Sequence, residues 1–193
     1  EYIDAKVAAL MQVLEETGLS ENTIVVFASD HGDMMGERGL HYKKTFFEWS
    51  TRVPLIFWAG DRLNPHRVSE TVSLLDILPT FADLAGTSND VVEADGTSLI
   101  PLLNRQPIEP RIVPGELLSE GVFEPTFMLL RGRLKLLYSE IDPPLLFDLD
   151  SDPDELADVS HHPAYTETLD AMLSEARALW DAKGLRDCII KDQ

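Results

Sequence analysis

The sequence predicts an α/β fold, with part of a doubly wound sheet followed by a small α+β module of antiparallel strands plus a helix. Three observations carry that reading. A helix-spaced segment feeds a wholly apolar, β-branched run at 23–28 through a short loop, as in the αβ half of a doubly wound unit. A second apolar run follows at 53–59. After Gly96 the pattern changes to a proline-rich crossing, short strand-like segments and one last amphipathic helix.

Taken in order, Ile3, Val7, Leu10, Met11 and Leu14 recur at helical spacing, so residues 2–17 read as a helix. Gly18 sits where a left-handed cap ends it. The run TIVVFA at 23–28 reads as a strand buried on both faces, and VPLIFWA at 53–59 as its companion. Segment 73–85 reads as a helix that Pro79 would kink unless the helix starts there, with Gly86 as its stop. Prolines 101, 107, 110 and 114 mark a linker, with a short helical turn at 98–103. Strands at 127–130 and 134–138, joined by Arg131-Gly132-Arg133, make a hairpin, and 145–149 adds a third strand. Asp152-Pro153-Asp154-Glu155 reads as a helix start, and 165–180 as an amphipathic helix.

Composition bounds the function. The chain has 193 residues, 34 acidic against 16 basic, for a formal charge of −18. Nucleic acid and anionic membrane surfaces both require a basic footprint, so neither is expected as a partner. No apolar run approaches the roughly 18 residues of a membrane helix. The single cysteine, Cys188, excludes an internal disulfide or a cysteine-rich metal site. It fits a reducing, cytoplasmic compartment, with a periplasmic one left open.

The chemistry concentrates in SDHGDMMGERGLHYKKTFFEWSTRVP at 29–54. In open α/β sheets, ligands bind at the carboxyl ends of strands. Asp30 and His31 stand at such an end, where a carboxylate and an imidazole can bind a cation or relay a proton. Both reach one ion only if the chain turns there, and Gly32 makes that turn cheap. The competing reading is a turn capped by Asp30 with His31 solvated. The polar loop that follows, about twenty residues, is of the length that loops reach when they carry function.

The pieces NTIVVFASDHGD, GLHYKKTFFEWSTRVPLI, VSLLDILPTFADLAG and DGTSLIPLL, in this order, resemble the C-terminal signature of the sulfatase family, within the alkaline-phosphatase-like superfamily. The resemblance implies that residues 1–104 are the C-terminal part of a sulfatase α/β core and that 105–193 form a small α+β subdomain. It implies that Asp30 and His31 ligate a divalent metal, Ca2+ or alternatively Mn2+. Lys43, five residues before the glutamate of FFE, would contact the sulfate and take part in catalysis. Lys44 is the rival to Lys43 and is expected to face solvent. His41 could approach the substrate from the loop. Arg52 is expected to pair with Glu48, while Asp33, Glu37 and Arg38 arrange the loop.

The stretches YKKTFFEWSTRVPL, GELLSEG and RGRLKLLYSEIDPPLLFDLDSDPDEL resemble choline sulfatases in particular. Glu120 would then line a pocket for a quaternary ammonium, although Trp49-Ser50 departs from the smaller residues usual after the glutamate. The implied activity is metal-assisted covalent hydrolysis of a small-molecule sulfate ester, by a parent protein expected to be a homo-oligomer. Its formylglycine or serine nucleophile would come from an N-terminal half. No C/S-x-P-S/A-x-R motif occurs in this chain, so alone it is expected to be inactive. A phosphonate monoester or phosphodiester hydrolase, and a non-catalytic anion-binding domain, are the alternatives. The acidic run at 148–156 lacks EF-hand spacing and reads as a structural turn.

Overall fold

The computed structural model describes residues 1–87, 94–118 and 122–191. The chain divides into two compact units interleaved in sequence: Glu1–Asp30, Val53–Val68 and Leu75–Ile108 form one, and His31–Arg52, Ser69–Leu74 and Glu109–Gln193 the other. The loop after the first strand therefore groups with the C-terminal module, across the contiguous division at 104/105 drawn from sequence.

In the first unit, helix α1 (Tyr2–Glu16) stops where Gly18, at φ +70°, takes the left-handed conformation. Its amide bonds back to Glu15, the usual way of satisfying terminal carbonyls. The apolar spacing is real, yet α1 contains no buried residue, and Leu10 is 67% exposed. Strand β1 (Val25–Ala28) follows; strands β2 (Met34–Met35) and β3 (His41–Tyr42) and the one-turn helix α2 (Glu48–Thr51) belong to the second unit. Strand β4 (Leu55–Trp58) returns to the first unit and pairs antiparallel with β1, Val25 opposite Trp58 and Ala28 opposite Leu55. Doubly wound folds commonly carry such an antiparallel pair. Full burial of this strand is not observed: β1 is half-buried with Ala28 exposed.

A 3-10 turn at Leu74–Asp76 leads into helix α3 (Ile77–Leu84), so Pro79 falls in the first turn and causes no kink. Buried Asp76 and Thr80 hold this helix to the irregular segment after Gly96. Asp76 Oδ1 accepts from the Thr97 amide at 2.8 Å, and Thr80 Oγ accepts from the Leu99 amide at 2.8 Å while donating to the Asp76 carbonyl. A side chain at Gly96 would collide with the Leu75 carbonyl, which explains the glycine. Helix α4 (Ile100–Leu103) closes the segment.

The second unit is built on a four-stranded antiparallel meander, β5 (Ile112–Leu117), β6 (Thr126–Arg131), β7 (Leu134–Tyr138) and β8 (Leu145–Asp148), in that spatial order. The expected hairpin forms, turning through Gly132 at φ +56°. Strand β5 lies where the prolines predict a linker. Pro114 is tolerated because β5 is an edge, where a missing amide breaks no ladder bond on the open side.

Alternation of side chains sends Phe127, Leu129, Leu136, Tyr138 and Leu146 to one face, where Met172, Ala176 and Trp180 meet them. These last three come from helix α5 (Thr166–Leu179) and the residue after it. Trp180 stacks on Phe127 at 4.5 Å between ring centres and donates its indole N–H to Glu116. The other face packs Met128, Leu137 and Phe147 against Phe46 and Phe47. Helix α6 (Ala182–Lys191), absent from the sequence expectations, ends the described chain.

The helix expected to start at Asp152 is not there. Residues 149–157 are turn and irregular chain, and the next helical residues are Pro163–Tyr165. The acids instead satisfy backbone donors: Asp158 accepts from the amides of Leu146 and Ser160, and Asp152 from that of Ala157.

Candidate active site

His31, Lys43 and the residues that position them all belong to the second unit. The loop begins at Gly32, whose amide donates to the Ser50 carbonyl at 2.8 Å. A Cβ on Gly32 would meet the Trp49 carbonyl, so close approach of two backbones, rather than a special φ, requires glycine here. The short β2–β3 ladder sets Met35 opposite His41. Glu37 braces its start by accepting from the Met35 amide at 2.5 Å. Backbone N–H groups, its own and that of Met35, hold the Glu37 carboxyl below the usual carboxylate range. Arg38, at φ +56°, lays its guanidinium 4.1 Å from the centre of the Phe47 ring, a cation–π contact that ties the turn to the packed aromatic pair. Tyr42, just before the lysines, also has a left-handed backbone, φ +69°. Non-glycine residues in that region carry strain, which collects at functional loops.

His31 Nδ1 lies 2.7 Å from the Gly32 carbonyl, and its Nε2 lies 2.8 Å from Lys43 Nζ. A carbonyl can only accept, so Nδ1 carries the proton and Nε2 presents a lone pair, to which the Lys43 ammonium donates. A histidine that binds a metal through one nitrogen is held in this same way through the other, by donation to a carbonyl or carboxylate. The Nε2 lone pair that accepts from Lys43 is the one a divalent cation would take, so His31 fits a metal only in place of that contact. Asp30, one residue earlier, is exposed and belongs to the first unit. Among the described residues no three metal-ligating side chains converge, so His31 would be one member of a larger ligand set. Lys44 is exposed, and His41 is exposed on β3. Glu120 lies outside the described residues.

Behind Lys43 sits a buried ionic cluster that the sequence reading passed over. Lys135 of β7 is 0% exposed in the side chain. Its ammonium donates to Glu48 Oε1 at 2.5 Å, to the Phe46 carbonyl at 3.0 Å and to Thr51 Oγ at 3.4 Å. It also lies 2.9 Å from Glu155 Oε1, an ion-pair contact outside hydrogen-bond angles. Glu155 Oε2 in turn accepts from the Glu48 amide at 2.7 Å. The expected Arg52–Glu48 pair exists at 3.9 Å, but Arg52 is 76% exposed and Lys135 is the stronger partner. One signal for this cluster was in the sequence: a lysine inside the strand LKLLY whose side chain points to the same face as Leu137.

With this geometry in hand, likeness to known proteins becomes informative. Residues 1–87 match the family model described as Sulfatase. The choline-sulfatase of Rhizobium meliloti is 38% identical over the whole of this chain, which covers 38% of that protein. The chain belongs to the sulfatase family. A crystal structure from Bacteroides thetaiotaomicron, described as a sulfatase, superposes with a TM-score of 0.77 at 32% identity, covering 92% of this chain and 39% of that one. The phosphonate monoester hydrolase of Agrobacterium radiobacter superposes with a TM-score of 0.76 at 26% identity, covering 92% and 38%. The chain thus spans under two fifths of the length of each of these three proteins. The α/β class with an alkaline-phosphatase-like fold is the one these structural neighbours share.

Proposed function

We propose that this chain is the part of a sulfate-ester hydrolase that supplies one anion-binding lysine and two metal ligands. The observation that carries this reading is the direct contact of Lys43 Nζ with His31 Nε2 at 2.8 Å. It brings together the two residues that the sulfatase resemblance assigns to sulfate and to metal. Lys43 offers an ammonium to the nonbridging oxygens of a bound sulfate, where charge grows as the ester bond breaks. With the Lys43 ammonium turned from His31 to the sulfate, His31 through Nε2 and Asp30 would hold a divalent cation, Ca2+ or Mn2+, whose chemistry is to neutralise the sulfate and its leaving oxygen. The nucleophile, expected as formylglycine or serine, is a residue of the longer protein. His41 would approach the substrate from β3, and Glu120 would accompany a quaternary ammonium such as the one choline carries.

A phosphonate monoester hydrolase is the second reading, because a protein of that activity superposes about as well as a sulfatase does. The same lysine and metal would serve either anion. The complete protein, supplied with Ca2+ and assayed on choline O-sulfate, p-nitrophenyl sulfate and a phenylphosphonate monoester, separates the two. Turnover of a sulfate ester at least tenfold better than of the phosphonate supports the first, and the reverse ratio selects the second. Binding of sulfate with no turnover of any ester would leave only an anion-binding domain. Lys43→Ala should lower kcat/KM by about 10²–10³-fold, the scale of losing one electrostatic donor to a transition state. A variant as active as the wild type would remove Lys43 from the site.

A further inference from the structure

We infer that Lys135, acting through Glu48, Glu155 and Ser50, is a positioning residue that sets where Lys43 and His31 stand. The inference rests on the sulfate-ester reading for the role of Lys43, while the mechanical part stands on geometry alone. Lys135 lies in the middle of β7, flanked by β6 and β8, and cannot approach an external ligand. Its ammonium donates to one short stretch of chain. It holds Glu48 Oε1, the Phe46 carbonyl and Thr51 Oγ at once, so the backbone from 46 to 51 is fixed to the sheet at both ends of α2. Glu155 completes the grip on the Glu48 amide. It does so from a buried, left-handed backbone conformation, φ +54°, that a glutamate adopts only under constraint.

The grip passes to the site through one residue. Ser50, 3% exposed and in the middle of α2, donates its hydroxyl to the Lys43 carbonyl at 2.7 Å. Its own carbonyl accepts from the Gly32 amide at 2.8 Å. Ser50 therefore fixes the backbone of Lys43 with its side chain and the residue after His31 with its main chain. The Lys43–His31 contact at 2.8 Å is what results when both backbones are referred to the same anchored turn. A shift of about 1 Å in such a group can cost up to ~10²-fold in rate, so an anchor this far back still matters for catalysis. Buried ion pairs add little net stability against apolar substitutes, which leaves geometric specification as the use of this one.

Two variants and two measurements test the inference. Backbone hydrogen exchange of the 193-residue chain reads the mechanical part. Lys135→Met should speed exchange at Gly32 and Ser50 by at least tenfold while the amides of Leu129 and Leu136 in the sheet stay protected. Equal loosening of sheet and loop, or no change at Gly32, would overturn it. Ser50→Ala, which removes one hydroxyl and leaves the sheet alone, decides the matter if the Met variant does not fold. In the complete protein it should lower kcat on a sulfate ester by roughly tenfold or more, with Tm unchanged within about 2 °C, as expected of a lost hydrogen bond that orients a catalytic group. Wild-type turnover in Ser50→Ala would overturn the positioning role even if Lys43→Ala is inactive. An active Lys43→Ala variant would instead count against the sulfate-ester reading and leave the exchange result standing.

Discussion

The two units use apolar residues in opposite ways. The second buries both faces of its meander: α5 and Trp180 cover one, Phe46 and Phe47 the other, and Phe127, Leu136 and Leu146 are fully buried. The first carries equally regular apolar spacing in α1, yet Tyr2, Ile3, Leu10 and Val13 are each more than half exposed. Its two described strands are half-buried at best. Periodicity reports that a face is built for burial; it does not report what meets it. The second unit contains its own partner surfaces within the chain. The first belongs to a family whose matched members are more than twice the length of this chain.

Core truncation in the meander should break this contrast most visibly. Phe127→Ala removes a 0% exposed ring stacked on Trp180 and Tyr138, and should cost about 3–5 kcal/mol, read as a fall in the denaturation midpoint of the second unit. A loss under about 1 kcal/mol would mean that this core is looser than it looks.

Acid should act next, again on the second unit. Burial raises the Asp148 carboxyl, but hydrogen bonds from Tyr165 and Arg133 and the charge of Arg133 outweigh it, so the folded value lies below the ordinary one. Asp158 is held down in the same direction, burial opposed by the amides of Leu146 and Ser160 and the Ser160 hydroxyl. Depressed carboxylates stabilise the fold fully above their unfolded pKa, near ~3.9, and progressively less as pH falls through the folded one. Stability of the meander should therefore decline below about pH 4, and Asp148→Asn should flatten that decline. An unchanged acid profile in the Asn variant would show that other groups govern it.

The smallest effect belongs to α1. Leu10→Ala should change the stability of the 193-residue chain by no more than about 0.5 kcal/mol, because the side chain is already in water. A loss several times larger, measured by denaturant titration, would show that α1 finds a partner surface in solution.

Much of this architecture was legible residue by residue. Spacing located α1, α3 and α5, and Gly18, Gly86 and Gly132 took the left-handed conformations expected at their turns. What stayed hidden depended on distance or on context. Four prolines argued for a linker, and only the edge position of β5 makes Pro114 compatible with a strand. Asp152 to Glu155 looked like a helix start because acids suit one, but here Asp152 accepts from the Ala157 amide and Glu155 from that of Glu48. Asp30 and His31 were marked by their place at a strand end and Lys43 by family likeness; Lys43 Nζ lies 2.8 Å from His31 Nε2. The lysine inside LKLLY hinted at a buried cation, but its partner Glu48 is 87 positions distant, so no local pattern names that partner.

The stacked Trp180 has a practical side. The chain holds three tryptophans, and two of them sit in contrasting surroundings: Trp180 is 8% exposed against Phe127, whereas Trp49, in the helical turn beside Ser50, is 53% exposed. Their emission should separate, a blue component from the core and a red one from the loop. A dissolved quencher such as iodide or acrylamide would extinguish the loop component first. With the partly buried Trp58 of β4 replaced by phenylalanine, light alone would then follow the anchored turn and the meander as separate signals in one cuvette, without a label or a substrate.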